Sequence, residues 1–188
     1  MIWSAAEPSF SAPAYGGYQS WLGEAFPKWG KRLALIEGKT GKSYSFGDLN
    51  GIISTVAGNL YHTAGVRKGD VILFYIPNSI EHSILIMATF SLGAIVSGCN
   101  PLNTQTEVVR QMKDSNAVYL VTTSSNQSMV PGIVKECPRI RNVFIIGDGA
   151  VNRAYTSADD LFAPGNLAPD VFINNQDVAL LPYSSGTT

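Results

Sequence analysis

Short runs of mostly apolar residues, each far shorter than a membrane span, recur along the chain and limit the folds that it can adopt. Runs of this kind, rich in β-branched and aromatic residues, predict strands that are covered on both faces. The segments between the central runs are long enough to hold helices, which is typical of a parallel sheet. The predicted strands are Val71–Ile76, Ala94–Ser97, Val118–Thr122, Asn142–Ile146 and, near the end of the chain, Val178–Leu181.

Helix-starting patterns lie between these runs. Ser45 precedes Asp48 by three residues, which is the spacing of a capping box with Asp in place of the usual Glu. Apolar residues then recur at i+3 and i+4 as far as Gly65, so one helix is predicted over this stretch. Further helices are predicted after Ser79, after a capping box formed by Thr104 and Glu107, and within residues 127–136.

The order of these elements predicts an α/β fold, a doubly wound and mostly parallel sheet with helices on both faces. Ligands of such sheets bind beyond the carboxyl ends of the strands. Upstream, Leu33–Ile36 and Ser43–Phe46 flank two turn glycines and predict a hairpin. Residues 1–32, rich in Pro, Gly, Ser and aromatic residues, predict an irregular segment, and residues 33–188 the domain itself.

Charge excludes some classes of function. The chain has 13 Lys and Arg against 14 Asp and Glu, and only 14% of its residues are charged while 45% are hydrophobic. This balance favours a globular domain over a disordered chain and removes the simplest electrostatic case for nucleic acid as a partner. The densest basic cluster is interpreted as a solvated surface; its members are Lys28, Lys31, Arg32, Lys39 and Lys42.

Cysteine and histidine usage argues against a disulfide framework and against a metal site. Cys99 and Cys137 are far apart, have no CxxC spacing, and are predicted to be buried small side chains. His62 and His82 have no partner at a ligand spacing, and His62 is expected to be exposed near the end of the first long helix. No metal ligand is therefore predicted.

Targeting and membrane segments are not predicted either. The first residues lack a basic region followed by an apolar core, so they do not resemble a signal peptide. The longest weakly polar stretch, residues 84–99, is interrupted by small polar residues and is shorter than the roughly 20 residues of a membrane-spanning helix. We expect an intracellular protein without a membrane span.

One loop after a predicted strand differs from the others. Pro77-Asn78 and Asn100-Pro101 are typical strand-ending turns, and Gly147-Asp148-Gly149 lacks the third glycine of a dinucleotide-binding fingerprint. The loop after Leu181, in contrast, places the hydroxyls of Ser184, Ser185, Thr187 and Thr188 around Gly186. A glycine-containing loop can turn successive N–H groups towards an anion, and hydroxyls add neutral donors. The pattern predicts a phosphate-binding loop, although a simple polar turn would have the same composition.

A polyphosphate also needs positive charge from Lys, Arg or a metal ion. The last basic residue of the chain is Arg153, so the predicted loop has no cation nearby in the sequence.

The run Tyr183-Ser184-Ser185-Gly186-Thr187-Thr188 resembles the first half of the phosphate-loop signature of adenylate-forming enzymes, which continues as Gly-x-Pro-Lys-Gly. Other stretches with the character of that superfamily occur in the expected order. They include Ser43–Leu49, Gly65–Val71, Ile76–Ser79, Gly93–Val96, Asn100–Leu102 and Gln111–Ser115. Within the superfamily the chain is most similar to acid–CoA ligases of the coumarate–CoA ligase and luciferase-like type.

This resemblance implies a two-step reaction that uses ATP, Mg²⁺ and coenzyme A. A small-molecule carboxylic acid attacks the α-phosphate of ATP to give an acyl-adenylate and pyrophosphate, and the thiol of coenzyme A then displaces AMP. On this resemblance Ser184, Ser185, Gly186, Thr187 and Thr188 fall on the ATP-binding loop. No catalytic residue is carried over to this chain.

The resemblance also implies that the chain is the N-terminal part of an adenylation domain, ending inside the phosphate loop. The second half of that loop, the adenine-, ribose- and acid-binding segments and the C-terminal domain follow it in the family. We therefore expect the isolated chain to be inactive, and the rest of the same enzyme to be its missing partner, in the cytoplasm or the peroxisome. Two alternatives stay open: a non-catalytic interaction or regulatory domain that keeps the fold, and an unrelated doubly wound binding protein.

Overall fold

A computed structural model describes residues 18–148 and 151–184 and contains a five-stranded parallel sheet. The strands are β3 (Val71–Tyr75), β4 (Ile95–Gly98), β5 (Tyr119–Thr123), β6 (Asn142–Ile146) and β7 (Thr156–Ser157). Their order in the sheet is β4-β3-β5-β6-β7, and every pair is parallel. A separate antiparallel hairpin consists of β1 (Leu33–Ile36) and β2 (Ser43–Ser45).

Helices cover both faces of the sheet, as predicted. Helices α1 (Tyr18–Trp29), α2 (Phe46–His62), α3 (Ile80–Ser91) and α6 (Ala158–Phe162) pack on one face, and α4 (Gln105–Asp114) and α5 (Val130–Glu136) on the other. A short 3-10 turn, Ser124–Met129, precedes α5. Successive strand side chains point to opposite faces, so Ile72 and Phe74 enter the first core while Leu73 and Tyr75 enter the second.

The two capping boxes start their helices where the sequence predicts. The Asp48 N–H donates to Ser45 Oγ at 3.2 Å, and the Ser45 N–H donates to the Asp48 carboxylate at 3.0 Å. Thr104 and Glu107 make the same reciprocal pair at the start of α4. These hydrogen bonds lower the pKa of both carboxyl groups, because they favour the ionised form.

Helix α2 also carries the docking point for the segment that contains α6. The side-chain amide of Asn59 donates to the carbonyls of Leu161 and Ala163, each at 2.9 Å. One residue earlier, a Cβ on Gly58 would lie 1.9 Å from the carbonyl oxygen of Asn166. The absence of a side chain at Gly58 therefore allows the later segment to approach the helix.

The prediction of an irregular segment over residues 1–32 is wrong where the structure describes it, because α1 occupies residues 18–29. Leu22 and Phe26 of α1 are 2% and 5% exposed and belong to the core on that face of the sheet. Gly23 and Pro27 lower the helix propensity of this stretch, but burial of apolar residues at i and i+4 outweighs that cost. Residues 1–17 lie outside the described part.

The prediction of a last buried strand at Val178–Leu181 is also wrong. Residues 179–181 do run parallel to β4, through the hydrogen bonds Val96 N–H to Ala179 O (2.9 Å) and Leu181 N–H to Val96 O (2.8 Å). However, they form one isolated bridge, and Val178 and Leu180 are 54% and 50% exposed. The run lies outside β4 at the edge of the sheet, where Leu181 packs partly against the core that contains α4 while Val178 and Leu180 stay exposed.

The predictions for the two cysteines and for His62 are confirmed. Cys99 and Cys137 are free and buried, and His62 is the exposed last residue of α2. Within the described ranges, no group of three or more potential metal-binding side chains converges. None of the helices seen in residues 18–148 and 151–184 has the length and apolar character needed to cross a bilayer.

Candidate functional site

The predicted loop begins at the edge of the sheet where the parallel strands end. Because residues 179–181 run parallel to β4, the chain leaves them in the same direction as it leaves β4. Pro182, Tyr183 and Ser184 follow and are exposed. The other predicted site residues, Ser185, Gly186, Thr187 and Thr188, lie outside the described residues.

A buried polar contact joins α4 to the segment before the loop. The side-chain amide of Gln111, which is 7% exposed, donates to Ser97 Oγ at 3.1 Å and to the Gly98 carbonyl at 2.8 Å. The hydroxyl of Ser97 in turn donates to the Leu181 carbonyl at 3.4 Å. A side chain of α4 therefore sets the position of the last described segment through the end of β4.

Tyr183 makes a second contact with α4. Its hydroxyl donates to the carboxylate of Asp114, the last residue of that helix. Partial burial and the neighbouring carboxylate both disfavour the phenolate and raise the pKa of Tyr183 to about 12. Tyr183 is therefore a neutral hydrogen-bond donor at physiological pH, and it cannot act as a base there.

The approach to the segment is held by an ion pair. Lys68 Nζ lies 2.6 Å from an Asp177 carboxylate oxygen and donates to the Phe172 carbonyl at 2.9 Å. The hydrogen bond from Lys68 lowers the pKa of Asp177, and the Asn174 N–H contributes in the same direction. This pair fastens residues 172–177 to the turn before β3, and so sets where the run 179–181 begins.

The loop after β4 forms the neighbouring part of this edge. Tyr75 donates from its hydroxyl to the Asn103 carbonyl at 2.5 Å, and the Asn103 amide donates to Cys99 Sγ at 3.4 Å. Burial raises the pKa of both Tyr75 and Cys99. A thiol whose pKa is raised by burial is a poor nucleophile, and the two hydrogen bonds position the backbone of this loop.

The described part of this edge offers neutral donors and no cation. Of the residues described, no Lys or Arg side chain forms a hydrogen bond or an ion pair with Pro182, Tyr183 or Ser184. Hydroxyl and backbone N–H donors suit phosphate oxygens, but they do not offset the charge of a triphosphate. Positive charge to balance a polyphosphate at this edge would therefore have to come from outside these three residues.

The described part of the loop after β6, Gly147 and Asp148, does not provide an alternative phosphate site. Gly147 has a φ of 109°, and Asp148 lies with Lys42, Glu81 and Asp159 around a polar cavity of about 530 Å³. Lys42 Nζ is 3.6 Å from Glu81, so its charge is already paired. The remaining carboxylates would repel a phosphate.

The sequence analysis assigned no role at this edge to Ser97, Gln111, Asp114 or Lys68. Lys68, Gln111 and Asp114 lie in stretches that carry the family resemblance, Gly65–Val71 and Gln111–Ser115, but the resemblance did not indicate their contacts. Ser97 and Gln111 carry a further signal, because each is a polar residue within an otherwise apolar buried pattern.

Comparison with known proteins gives a consistent result. The sequence profile of the family described as AMP-binding enzyme matches residues 23–188. The chain is 34% identical to 4-coumarate–CoA ligase 5 of Oryza sativa subsp. japonica over 159 residues, covering 84% of this chain and 28% of that protein. It is 31% identical to 4-coumarate–CoA ligase 1 of Petroselinum crispum over 189 residues, covering all of this chain and 34% of that protein.

Solved structures share the fold. An anthranilate–CoA ligase in complex with anthranoyl-AMP superposes with a TM-score of 0.82 at 24% identity, covering 94% of this chain and 34% of the other. A long-chain-fatty-acid–CoA ligase from Archaeoglobus fulgidus superposes with a TM-score of 0.79 at 27% identity, covering 96% and 36%. The chain thus spans about a third of the length of the proteins that it matches.

Proposed function

Because this chain belongs to the AMP-binding enzyme family, we propose that it supplies the N-terminal part of an ATP-dependent acid–CoA ligase. In the proposed first step, a carboxylate oxygen attacks the α-phosphorus of ATP and the bond to pyrophosphate breaks. In the second, the thiol of coenzyme A attacks the acyl carbonyl and AMP leaves. The proposed substrate is a small-molecule carboxylic acid.

The observation that carries the proposal is the direction of residues 179–181. Their parallel pairing with β4 supports a position for the hydroxyl-rich run at the carboxyl edge of the sheet, where ligands of such sheets bind. We propose that Ser184, Ser185, Thr187 and Thr188 donate hydrogen bonds to phosphate oxygens, and that Gly186 lets the backbone N–H groups turn towards them.

The proposed first step depends on positioning rather than on proton transfer. A carboxylate is already ionised at physiological pH, and pyrophosphate leaves as an anion, so the first step needs no general base from this edge. What it needs is positioning of the phosphates and stabilisation of their charge. Tyr75, Cys99 and Tyr183, whose pKa values are all raised, stay protonated and add no competing negative charge. Mg²⁺ would supply positive charge that the described edge lacks.

Binding of ATP and Mg²⁺ to the 188-residue chain tests the role of the loop. We expect weak binding by titration calorimetry, no ATP–pyrophosphate exchange and no thioester. The double variant Ser185→Ala/Thr187→Ala should weaken binding at least roughly tenfold, since a hydrogen bond to a charged group is worth about 1.5–3 kcal/mol. The matched variant Thr63→Ala/Ser128→Ala, at two exposed positions, should bind like the parent.

A chimera tests the proposal in a complete enzyme. The matching residues of the Petroselinum crispum ligase would be replaced by this chain, and acyl-adenylate formation measured with the acid used by that ligase. We expect a working chimera that loses roughly 100-fold in rate with Ser185→Ala/Thr187→Ala. A folded chimera in which the loop substitutions do not change the rate of acyl-adenylate formation would overturn the proposal. ATP–pyrophosphate exchange by the isolated chain would also overturn it.

A further inference from the structure

The stretch of residues 28–42 is rich in basic residues in a chain that is slightly acidic. It holds five basic side chains and one acidic residue, Glu37, whereas the whole chain has a net charge of −1. The five cations are all exposed, and they are Lys28, Lys31, Arg32, Lys39 and Lys42. Among them, only Lys42 forms an ion pair with a described residue, Glu81. We call this stretch the hairpin surface.

Three large apolar side chains are exposed on the hairpin surface among those cations. Leu33 and Ile36 of β1 are 61% and 62% exposed, and Trp29 at the end of α1 is 40% exposed. Charge on its own is a common feature of solvated surfaces, but three adjoining apolar side chains held out in water carry a cost. Their exposure in this chain, beside basic residues, is the observation that points to a binding partner.

A bulge in β1 brings the two exposed strand side chains to the same side. The register shifts between Leu33 and Leu35, so that Ala34 and Leu35 both pack against the core while Leu33 and Ile36 both point outwards. Without the shift, residues 33 and 36 would lie on opposite faces of the strand. The backbone irregularity thus concentrates apolar area on the outer face.

Trp29 adjoins this face. Its ring lies 5.4 Å from the ring of Phe46, centroid to centroid. Phe46 follows Ser45, which is the cross-strand partner of Leu33. Trp29 therefore stands beside the Leu33 end of the hairpin, with Lys31 and Arg32 between them in the chain.

We propose that the hairpin surface binds the surface of an anionic phospholipid bilayer. The exposed lysines and arginine would meet the phosphate and carboxylate groups of the lipids, while Leu33, Ile36 and Trp29 enter the boundary between headgroups and acyl chains. Tryptophan is enriched at this depth because one end of its ring is apolar and the other can form a hydrogen bond. A nucleic acid would use the cations but not the aliphatic side chains, so the lipid surface accounts for more of the observations.

Flotation with lipid vesicles tests the proposal on the 188-residue chain, because aggregated protein sinks and is not counted as bound. We expect binding to vesicles made from equal parts of phosphatidylserine and phosphatidylcholine, and none to phosphatidylcholine alone. Lys31→Gln/Lys39→Gln should weaken binding roughly 25-fold, since each basic residue near such a surface contributes about 1 kcal/mol. Arg110→Gln/Lys135→Gln removes two exposed charges from α4 and α5 on the opposite face and should leave binding unchanged.

A second pair of variants separates a bilayer from a nucleic acid. Leu33→Thr/Ile36→Thr keeps residues suited to a strand and retains every charge. It should weaken vesicle binding at least roughly tenfold by removing apolar insertion, with an unchanged midpoint of urea unfolding. The proposal would be overturned if Lys31→Gln/Lys39→Gln and Arg110→Gln/Lys135→Gln floated with the anionic vesicles to the same extent. Unchanged flotation of the Leu33/Ile36 variant would also overturn it, as would binding to a homopolymeric RNA in preference to the anionic vesicles.

Discussion

Strand β3 and residues 179–181 run parallel to β4 on its two sides, yet they are held very differently. Strand β3 pairs with β4 on one side and β5 on the other, and all five of its residues are buried. Residues 179–181 have β4 on one side only, and Leu180 is half exposed. The two runs have a similar apolar composition but different roles. Strand β3 stabilises the fold, whereas residues 179–181 set the direction of the segment that follows them.

The largest expected effect is in β3. Phe74 is 1% exposed, and Phe74→Ala should lower the free energy of unfolding by about 3–5 kcal/mol through lost burial and the cavity left behind. Leu180→Ala should cost no more than about 0.5 kcal/mol, because its side chain is already half in water. Urea unfolding of both variants measures the contrast. Equal losses in the free energy of unfolding would mean that residues 179–181, the edge run, are part of the core.

An intermediate effect is expected where α4 meets the edge run. Gln111→Ala leaves the Ser97 hydroxyl and the Gly98 carbonyl without their buried donor, at a cost of about 1–3 kcal/mol. It should also accelerate hydrogen exchange at the Leu181 amide, whose acceptor is the carbonyl of Val96 in the neighbouring strand. Arg110→Ala, at the exposed position beside it, is the control. Unchanged exchange at Leu181 would show that Gln111 does not position the edge run.

The smallest effect on stability is expected when the pH is lowered. The folded-state pKa of Asp177 is lowered by Lys68 from the usual value of about 3.9. The Asp177 contribution to stability is therefore fully present above that usual pKa and is lost as the pH falls through the lowered one. Amide exchange in residues 174–181 should quicken over this acidic window. Lys68→Gln should reduce the dependence to the part that the hydrogen bond from the Asn174 N–H sustains. An undiminished dependence in that variant would assign it to another carboxyl group.

Most of the sheet could be predicted from the sequence, whereas the predicted site residues 185–188 lie outside the described part. The central strands lie within one residue of their predicted positions, and both capping boxes form, because each depends on a few neighbouring residues. The ordered motifs identified the family correctly, as the profile match and the curated relatives confirm. Burial of Val178–Leu181 could not be judged, because an apolar run predicts a strand but does not specify what covers it.

The elements and contacts that the sequence analysis did not predict depend on residues that are distant in the chain. Strand β7 has two residues and therefore no hydrophobic period, and α6 has five. Neither was predicted, because β7 is held by its pairing with β6, and α6 is held by the Asn59 side chain as well as by its own cap at Ser157. An asparagine such as Asn59 looks unfavourable inside a helix when considered alone. The Gln111–Ser97 contact was missed for a similar reason, since its partners are 14 positions apart.

A single isolated bridge pairs residues 179–181 with β4, so the direction of the segment after them does not depend on the same contacts as the stability of the fold. Substitutions along residues 179–183 can redirect that segment while the interior strands stay intact. Single substitutions in residues 179–183 can therefore change the direction of this segment one at a time while the domain still folds.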